Sequence, residues 1–174
     1  MIIAFTGQKR SGKSEASKWF ESRGYKRINF KDSLVGEIKQ NFPDLLKVIG
    51  DDFNNKPPAV RALLQNYGTE VRRRDNKNYW TLKWLDQVDD YMDSSKKCDI
   101  VVDDCRFLNE AKVVNDFNGI IIKVTRKGFT GDSHISETEQ SKIKPDYTIN
   151  NDTTLDNLYK QLKIIYENIT GDKQ

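Results

Sequence analysis

Residues 7–14 read Gly7-Gln8-Lys9-Arg10-Ser11-Gly12-Lys13-Ser14. They meet the pattern G-x-x-x-x-G-K-[ST] at every fixed position, and the apolar run at 2–5 stands directly before them. A loop of this kind curls its backbone N–H groups around phosphate oxygens. Gly7 and Gly12 permit backbone conformations that a Cβ would obstruct. The helix that follows adds partial positive charge beneath the anion. In such loops the lysine, here Lys13, reaches the β- and γ-phosphates of a nucleoside triphosphate, and the hydroxyl, here Ser14, ligates magnesium. The expected ATP contacts are therefore Gly7, Lys9, Arg10, Ser11, Gly12, Lys13 and Ser14. Lys9 and Arg10 are additional cations within the loop, and they serve either phosphate or solvent.

A second element lies at 100–104. The apolar residues Ile100, Val101 and Val102 lead into Asp103 and Asp104. A carboxylate at a strand end beside a phosphate loop provides the magnesium side of such a site, so Asp104 joins Ser14 as an expected metal ligand. Arg106 follows closely, and Arg126 comes just after the apolar run at 119–125. Ligands of open parallel sheets bind beyond the carboxyl ends of the strands, where Gly7, Asp104 and Arg126 all fall.

The rest of the chain must supply the sheet that aligns these ends. Strand patterns occur at 2–5, 25–30, 100–102, 119–125 and 147–149. Helical stripes occur at about 12–23, from Asp32 or Ser33 as cap through Ile38, from Pro58 through Tyr67, at 79–93, at 108–117 and from Leu155 to Ile169. Residues 51–58 read as a loop, and 126–145 as a polar excursion suited to a lid. Strands alternate with helices, and the strands at 2–5, 100–102 and 120–124 are continuously apolar. Such strands belong in a parallel sheet covered on both faces. From stripe position alone, Trp80 and Trp84 read as core.

Composition narrows the class further. The chain has 174 residues with 8 Phe, 7 Tyr and 3 Trp, enough for one ordinary folded domain over 1–174. Mean hydropathy is −0.76 and no apolar run nears 18 residues, which excludes a membrane-spanning helix and favours a cytoplasmic protein. Twenty-nine Lys and Arg against 26 Asp and Glu is too small a surplus for a nucleic-acid binder. Cys98 and Cys105 read as reduced thiols. With His134 the only histidine, zinc and Ser-His-Asp chemistry are poorly supported. The base-reading N-K-x-D of GTPases is missing. A small-molecule kinase fits, since it needs a phosphate loop, an acceptor pocket and arginines that neutralise the transferring phosphoryl group. Arg61, Arg72, Arg73, Arg74, Arg106 and Arg126 are the candidates.

Several stretches together resemble the phage-type deoxynucleoside monophosphate kinases. They are Leu63-Leu64-Gln65-Asn66-Tyr67-Gly68-Thr69-Glu70 with Tyr79-Trp80, and Val102-Asp103-Asp104-Cys105-Arg106-Phe107-Leu108-Asn109-Glu110. Ser133-His134-Ile135-Ser136-Glu137, Ile149-Asn150-Asn151 and the phosphate loop complete the set. The resemblance implies an α/β, three-layer adenylate-kinase-like fold with a five-stranded parallel sheet, helices on both faces and a short lid at about 126–145. It implies ATP and Mg2+, with a deoxynucleoside monophosphate as acceptor, bound within about 31–80. Lys13, Arg106 and Arg126 become the expected catalytic residues. Asp32, Arg61, Glu70, Arg73, Trp80 and Asp104 become the expected acceptor side. A viral source and host cytoplasm would follow from this likeness, and a homodimer stays open. The rivals are another small P-loop kinase, dephospho-CoA-kinase-like or phosphomevalonate-kinase-like, and a non-enzymatic nucleotide-dependent switch.

Overall fold

The structure, a computed structural model, describes residues 1–95, 98–128 and 135–171. It divides the expected domain into two compact units, Met1–Asn29 with Ser94–Gln174, and Phe30–Asp93.

The first unit is built on a parallel five-stranded sheet, β1 (Ile2–Thr6), β2 (Lys26–Arg27), β3 (Ile100–Val102), β4 (Ile120–Thr125) and β5 (Tyr147–Asn150), in the order β2-β3-β1-β4-β5. Central β1 pairs Ala4 with Val102 on one side and with Ile121 on the other. All five of its residues are buried, so both faces of the strand are covered. Side chains alternate along a strand. Ile3 and Phe5 accordingly share a core with α1 (Lys13–Glu21) and α8 (Leu155–Thr170), through Ala16, Trp19, Phe20, Leu158 and Leu162. Ile2 and Ala4 are buried on the opposite face, and α6 (Leu108–Asp116) packs on β1 and β4. The parallel sheet between two helical layers is thus the one expected.

Phe20 anchors the first core. Its ring meets Phe5, Trp19, Tyr25 and Tyr166 edge-on, with centroids 5.1 to 6.1 Å apart. These separations and tilts suit the aromatic quadrupole. Gly24 ends the helical turn with φ of +89°, the left-handed position its residue type predicts.

Helices make up the second unit: α2 (Phe30–Asn41), α3 (Pro43–Ile49), α4 (Pro58–Gln65), a π-helical segment (Asn66–Arg73) and α5 (Tyr79–Ser94). Ile38, Leu46, Tyr67 and Trp80 form its core. The remaining helix of the chain, α7 (Ile135–Gln140), lies within the expected lid segment. The centre of that segment, including His134, falls on 129–134, outside the described residues. No helix among the described residues is long and apolar enough to cross a membrane.

Three local expectations need correction. The strand predicted at 25–30 is regular only at Lys26–Arg27. Asn29 Oδ1 accepts the Asp103 N–H at 2.8 Å, so a side chain takes the place of a ladder carbonyl and pairing stops there. Helix α2 starts at Phe30, so neither Asp32 nor Ser33 caps it, although Asp32 still lies in its first turn, where a carboxylate suits the positive helix end. Third, α4 does not end after Tyr67 but runs on as the π segment.

Phe20→Ala should destabilise the protein by about 3–5 kcal/mol, the usual cost of emptying a packed aromatic site. Urea unfolding followed by tryptophan fluorescence would measure it.

Candidate phosphate-binding site

β1 delivers the chain to the loop at its carboxyl end, and the loop's path demands unusual backbone. Gly7 has φ of +130° and Gly12 of +111°, both in the region that favours glycine. A Cβ on Gly7 would lie 2.1 Å from the Val124 carbonyl oxygen, so β4 passes directly against the loop's first residue. Arg10 has φ of +65°, a left-handed conformation costly for a residue with a Cβ, and one typical of functional loops.

Gly12 is also the N-cap of α1 and supplies no capping side chain. Its carbonyl accepts from Ala16 N at 3.0 Å, so the helix winds straight out of the loop. The Lys13 ammonium folds back over the loop and donates to the Gly7 and Gln8 carbonyls at 2.6 and 2.7 Å. Its charge is thereby fixed within the loop. Ser14 is exposed in the first turn of α1, whereas Ser11 is fully buried with no hydrogen-bond partner for its Oγ among the described residues. The side chains of Lys9 and Arg10 form no hydrogen bond or ion pair with any described residue.

The other strand ends converge on the same edge. Cys105 N–H donates to the Phe5 carbonyl at 3.2 Å, which sets Asp103 and Asp104 beside the end of β1. Both carboxylates are buried, and Arg27 Nη1 lies 3.8 Å from Asp103 Oδ2. Burial raises the Cys105 thiol well above its usual value, with the Glu110 and Asp104 carboxylates adding to the effect. The thiol is therefore neutral and structural. Glu110 Oε2 accepts from Arg106 N at 2.7 Å and Phe107 N at 3.1 Å, fixing the backbone that carries Arg106 into α6. Sequence reasoning gave Glu110 no role, although a glutamate three residues after Phe107 is the spacing of a capping side chain.

Arg126 emerges exposed after β4. A cleft of about 330 Å³ opens there, lined by Gly7, Gln8, Arg126, Lys127, Asn150 and Asp152 among others. It joins the loop to the ends of β4 and β5. The Lys127 N–H heads the effects that hold the Asp152 carboxyl below its usual range. The residue types at 150–152 carry no signal of this role, because Asn-Asn-Asp after a strand signals only a turn.

The second unit sorts its own arginines. In the π segment, where bonds run from i to i+5, Tyr67 and Arg72 stand five residues apart. Arg72 Nη2 donates to Tyr67 OH at 2.7 Å and pairs with Glu37 at 3.0 Å. Tyr67 and Tyr79 both donate to the Glu37 carboxylate. Arg72 also lies over both rings, about 5 Å from each centroid. Its guanidinium is thus bound into the structure of this unit. Arg73 donates to the Lys77 carbonyl at 3.3 Å, and Arg74 pairs with Asp75 at 3.2 Å. Arg61, half-buried on α4, makes no side-chain hydrogen bond or ion pair with a described residue. Asp32 and Glu70 are exposed.

Trp80 needs a correction. It is 2% exposed, sits in the core with Ile38 and Tyr67, and donates its Nε1 to the Gly68 carbonyl at 2.9 Å. Its one donor is spent and its ring is covered, so it is a packing residue and offers an acceptor no stacking face.

The residues held by the first unit, Gly7 to Ser14, Asp104, Arg106 and Arg126, share one sheet edge. Asp32, Arg61, Glu70, Arg73 and Trp80 belong to the second unit. No group of three or more His, Cys, Asp or Glu among the described residues could hold a metal by itself. Magnesium suits such a site, because it is bound by one or two carboxylates together with substrate phosphates and water.

Comparison with solved structures shows the fold. The dephospho-CoA kinase of Campylobacter jejuni superposes with a TM-score of 0.57 at 16% identity, covering 99% of this chain and 98% of its own. The shikimate kinase of Aquifex aeolicus gives 0.54 at 14% identity, covering 99% and 100%. The fold is that of P-loop kinases. A protein of Acanthamoeba polyphaga mimivirus, named as a deoxynucleotide monophosphate kinase, is 30% identical over 93% of this chain and 94% of its own length. The family model for deoxynucleotide monophosphate kinase matches residues 44–162, from α3 into α8. With its phosphate loop at the end of a central parallel strand, this chain belongs to the deoxynucleotide monophosphate kinase family and is a phosphotransferase acting on deoxynucleoside monophosphates.

Proposed function

We propose that the phosphoryl donor is magnesium-bound ATP, seated on the loop at 7–14, and that the second unit supplies the acceptor's phosphate contact through Arg61. An oxygen of the acceptor monophosphate attacks the γ-phosphorus in line. The bond from that phosphorus to the β–γ bridging oxygen breaks, and a nucleoside diphosphate and ADP leave. No protein nucleophile is needed, so the protein contributes positioning and charge neutralisation.

The observation that carries the donor side is the loop itself. Its glycines hold left-handed backbone, α1 starts within it, and the Lys13 ammonium is fixed across it. Lys13, Lys9 and Arg10 would balance the triphosphate charge. Arg106 and Arg126 would approach the transferring group from the ends of β3 and β4. Ser14 and Asp104 would hold magnesium, which supplies charge neutralisation on the phosphate oxygens when bound.

On the acceptor side, Arg61 is favoured by exclusion. Arg72 is engaged by Tyr67 and Glu37, while the half-buried Arg61 guanidinium has no counterion among the described residues. Keeping a cation partly buried without an anion is costly, and an acceptor phosphate would relieve that cost. Arg73, Glu70 and Asp32 are assigned to the same acceptor side.

Lys13→Ala should lose about 3 kcal/mol or more of transition-state stabilisation, comparable to removing a preorganised electrostatic donor. Coupled-assay kcat/KM is the readout, and normal turnover would sink the donor assignment. Arg61→Lys should raise the deoxynucleoside monophosphate KM or lower kcat, because the planar fork is lost. ATP affinity should hold. A variant that weakens ATP and leaves the acceptor constants alone would remove Arg61 from the acceptor side.

A further inference from the structure

The turn that follows β5 is tied to more of the site than its polar, glycine-free sequence suggests. Its main chain is held on one side by β4, where Asn151 N–H donates to the Thr125 carbonyl at 2.9 Å. On the other side, Gln161 of α8 accepts from Asn150 N at 3.1 Å and donates to the Asn150 carbonyl at 2.8 Å. Asn150 Oδ1 accepts from Asp152 N at 3.0 Å, which closes the turn on itself. Asp152 in turn accepts from Lys127 N, the second residue beyond β4. The turn is therefore fixed before it reaches the loop.

From this fixed base Asn151 extends its amide into the phosphate loop. Nδ2 donates to the Ser11 carbonyl at 2.8 Å, across 140 residues of sequence. The orientation of the amide is set by chemistry, since a carbonyl accepts only from the nitrogen end. The amide also occupies the space a side chain on Gly12 would need, as a Cβ there would lie 2.3 Å from Nδ2. Gly12 and Asn151 are thus complementary: the missing Cβ admits the amide, and the amide holds the carbonyl just before Gly12. A second tie from α8 reaches the other end of the junction, where Tyr159 OH donates to Glu15 at 2.8 Å in the first turn of α1.

We propose that Asn151 is a positioning residue for phosphoryl transfer, which holds the Ser11–Gly12 peptide so that the loop presents its N–H groups to the donor's phosphates. This rests on the reading of the loop as the ATP seat. Orienting the Ser11 carbonyl away from the phosphates also turns the adjoining Gly12 N–H, because one peptide plane carries both groups in opposite directions. The ligand class concerned is the polyphosphate, and the base and sugar play no part in the contact.

The test compares the parent enzyme with Asn151→Ala, Asn151→Asp and Lys13→Ala. For each, the affinity of magnesium-ATP and of magnesium tripolyphosphate is measured, together with ATP KM, deoxynucleoside monophosphate KM and kcat. Asn151→Asp preserves shape but turns an anionic acceptor toward the Ser11 carbonyl. It should weaken both polyphosphates at least about tenfold, and Asn151→Ala roughly three- to tenfold, the range of one hydrogen bond. The acceptor KM should not move. Should Asn151→Asp fail to fold, Asn151→Ala carries the comparison. Weakened ATP with unchanged tripolyphosphate would overturn the proposal, because Asn151 would then act on the base or sugar. Unchanged binding of both by the Asn151 variants, with loss in Lys13→Ala, would overturn it while leaving the ATP seat standing. Parental binding by Lys13→Ala would bring down the ATP seat and the proposal together.

Discussion

At the end of β1, Gly7 lies so close to the Val124 carbonyl that no Cβ could fit between them. That contact is a consequence of parallel pairing: β1 and β4 run side by side in register, so the chain leaving β1 must turn against its neighbour's backbone. The geometry of the whole candidate site depends on the turn being tight. It lets α1 begin at Lys13, points the helix N-terminus into the loop, and draws the ends of β3, β4 and β5 to the same edge. Burial of β1 on both faces keeps this edge rigid, so the left-handed backbone at Arg10 is held by a frame and is not a local accident.

Charge is distributed unequally between engaged and available cations. Arg72 is engaged by two phenols and a carboxylate, and that arrangement ties α2, the π segment and α5 of the second unit together. Lys9, Arg10 and Arg61 have no such partners among the described residues. A kinase needs both kinds. Engaged arginines stabilise the architecture, whereas available ones meet phosphate without first breaking an ion pair. The wide π turn brings residues five apart together, so that Arg72 meets Tyr67.

The buried carboxylates of the first unit are held by the fold as well. Asp103 has Arg27 nearby, Glu110 is consumed by the backbone N–H groups at the start of α6, and Asp104 stands between them at the strand end. Buried acids otherwise carry a heavy desolvation cost, and Arg27 beside Asp103 and the N–H groups on Glu110 offset it for these two. The neutral Cys105 thiol between Asp104 and Arg106 fills core space without adding charge.

Much of this was legible in the order of residues. The spacing Gly7 to Ser14 identified the loop, and continuous apolar runs identified the parallel strands. Both signals are local, and a helix or a buried strand carries its period within a few neighbouring residues. The short β2, the early start of α2 and the π segment were not legible, because each is decided by a partner far along the chain. Asn29 ends β2 by meeting Asp103, and Trp80 is core because its indole finds the Gly68 carbonyl. Whether an arginine is engaged by the fold is likewise invisible in sequence, since Arg61 and Arg72 are the same residue type in adjoining helical segments. Asn151 is the clearest case. Its type and position announce only a turn after a strand, and its reach to Ser11 exists only once β4 and β5 lie side by side. Residue types and their short-range spacing determined which chemistry the chain could perform. Long-range hydrogen bonding and close packing decided which of those residues the fold itself engages, because those contacts exist only once distant segments meet.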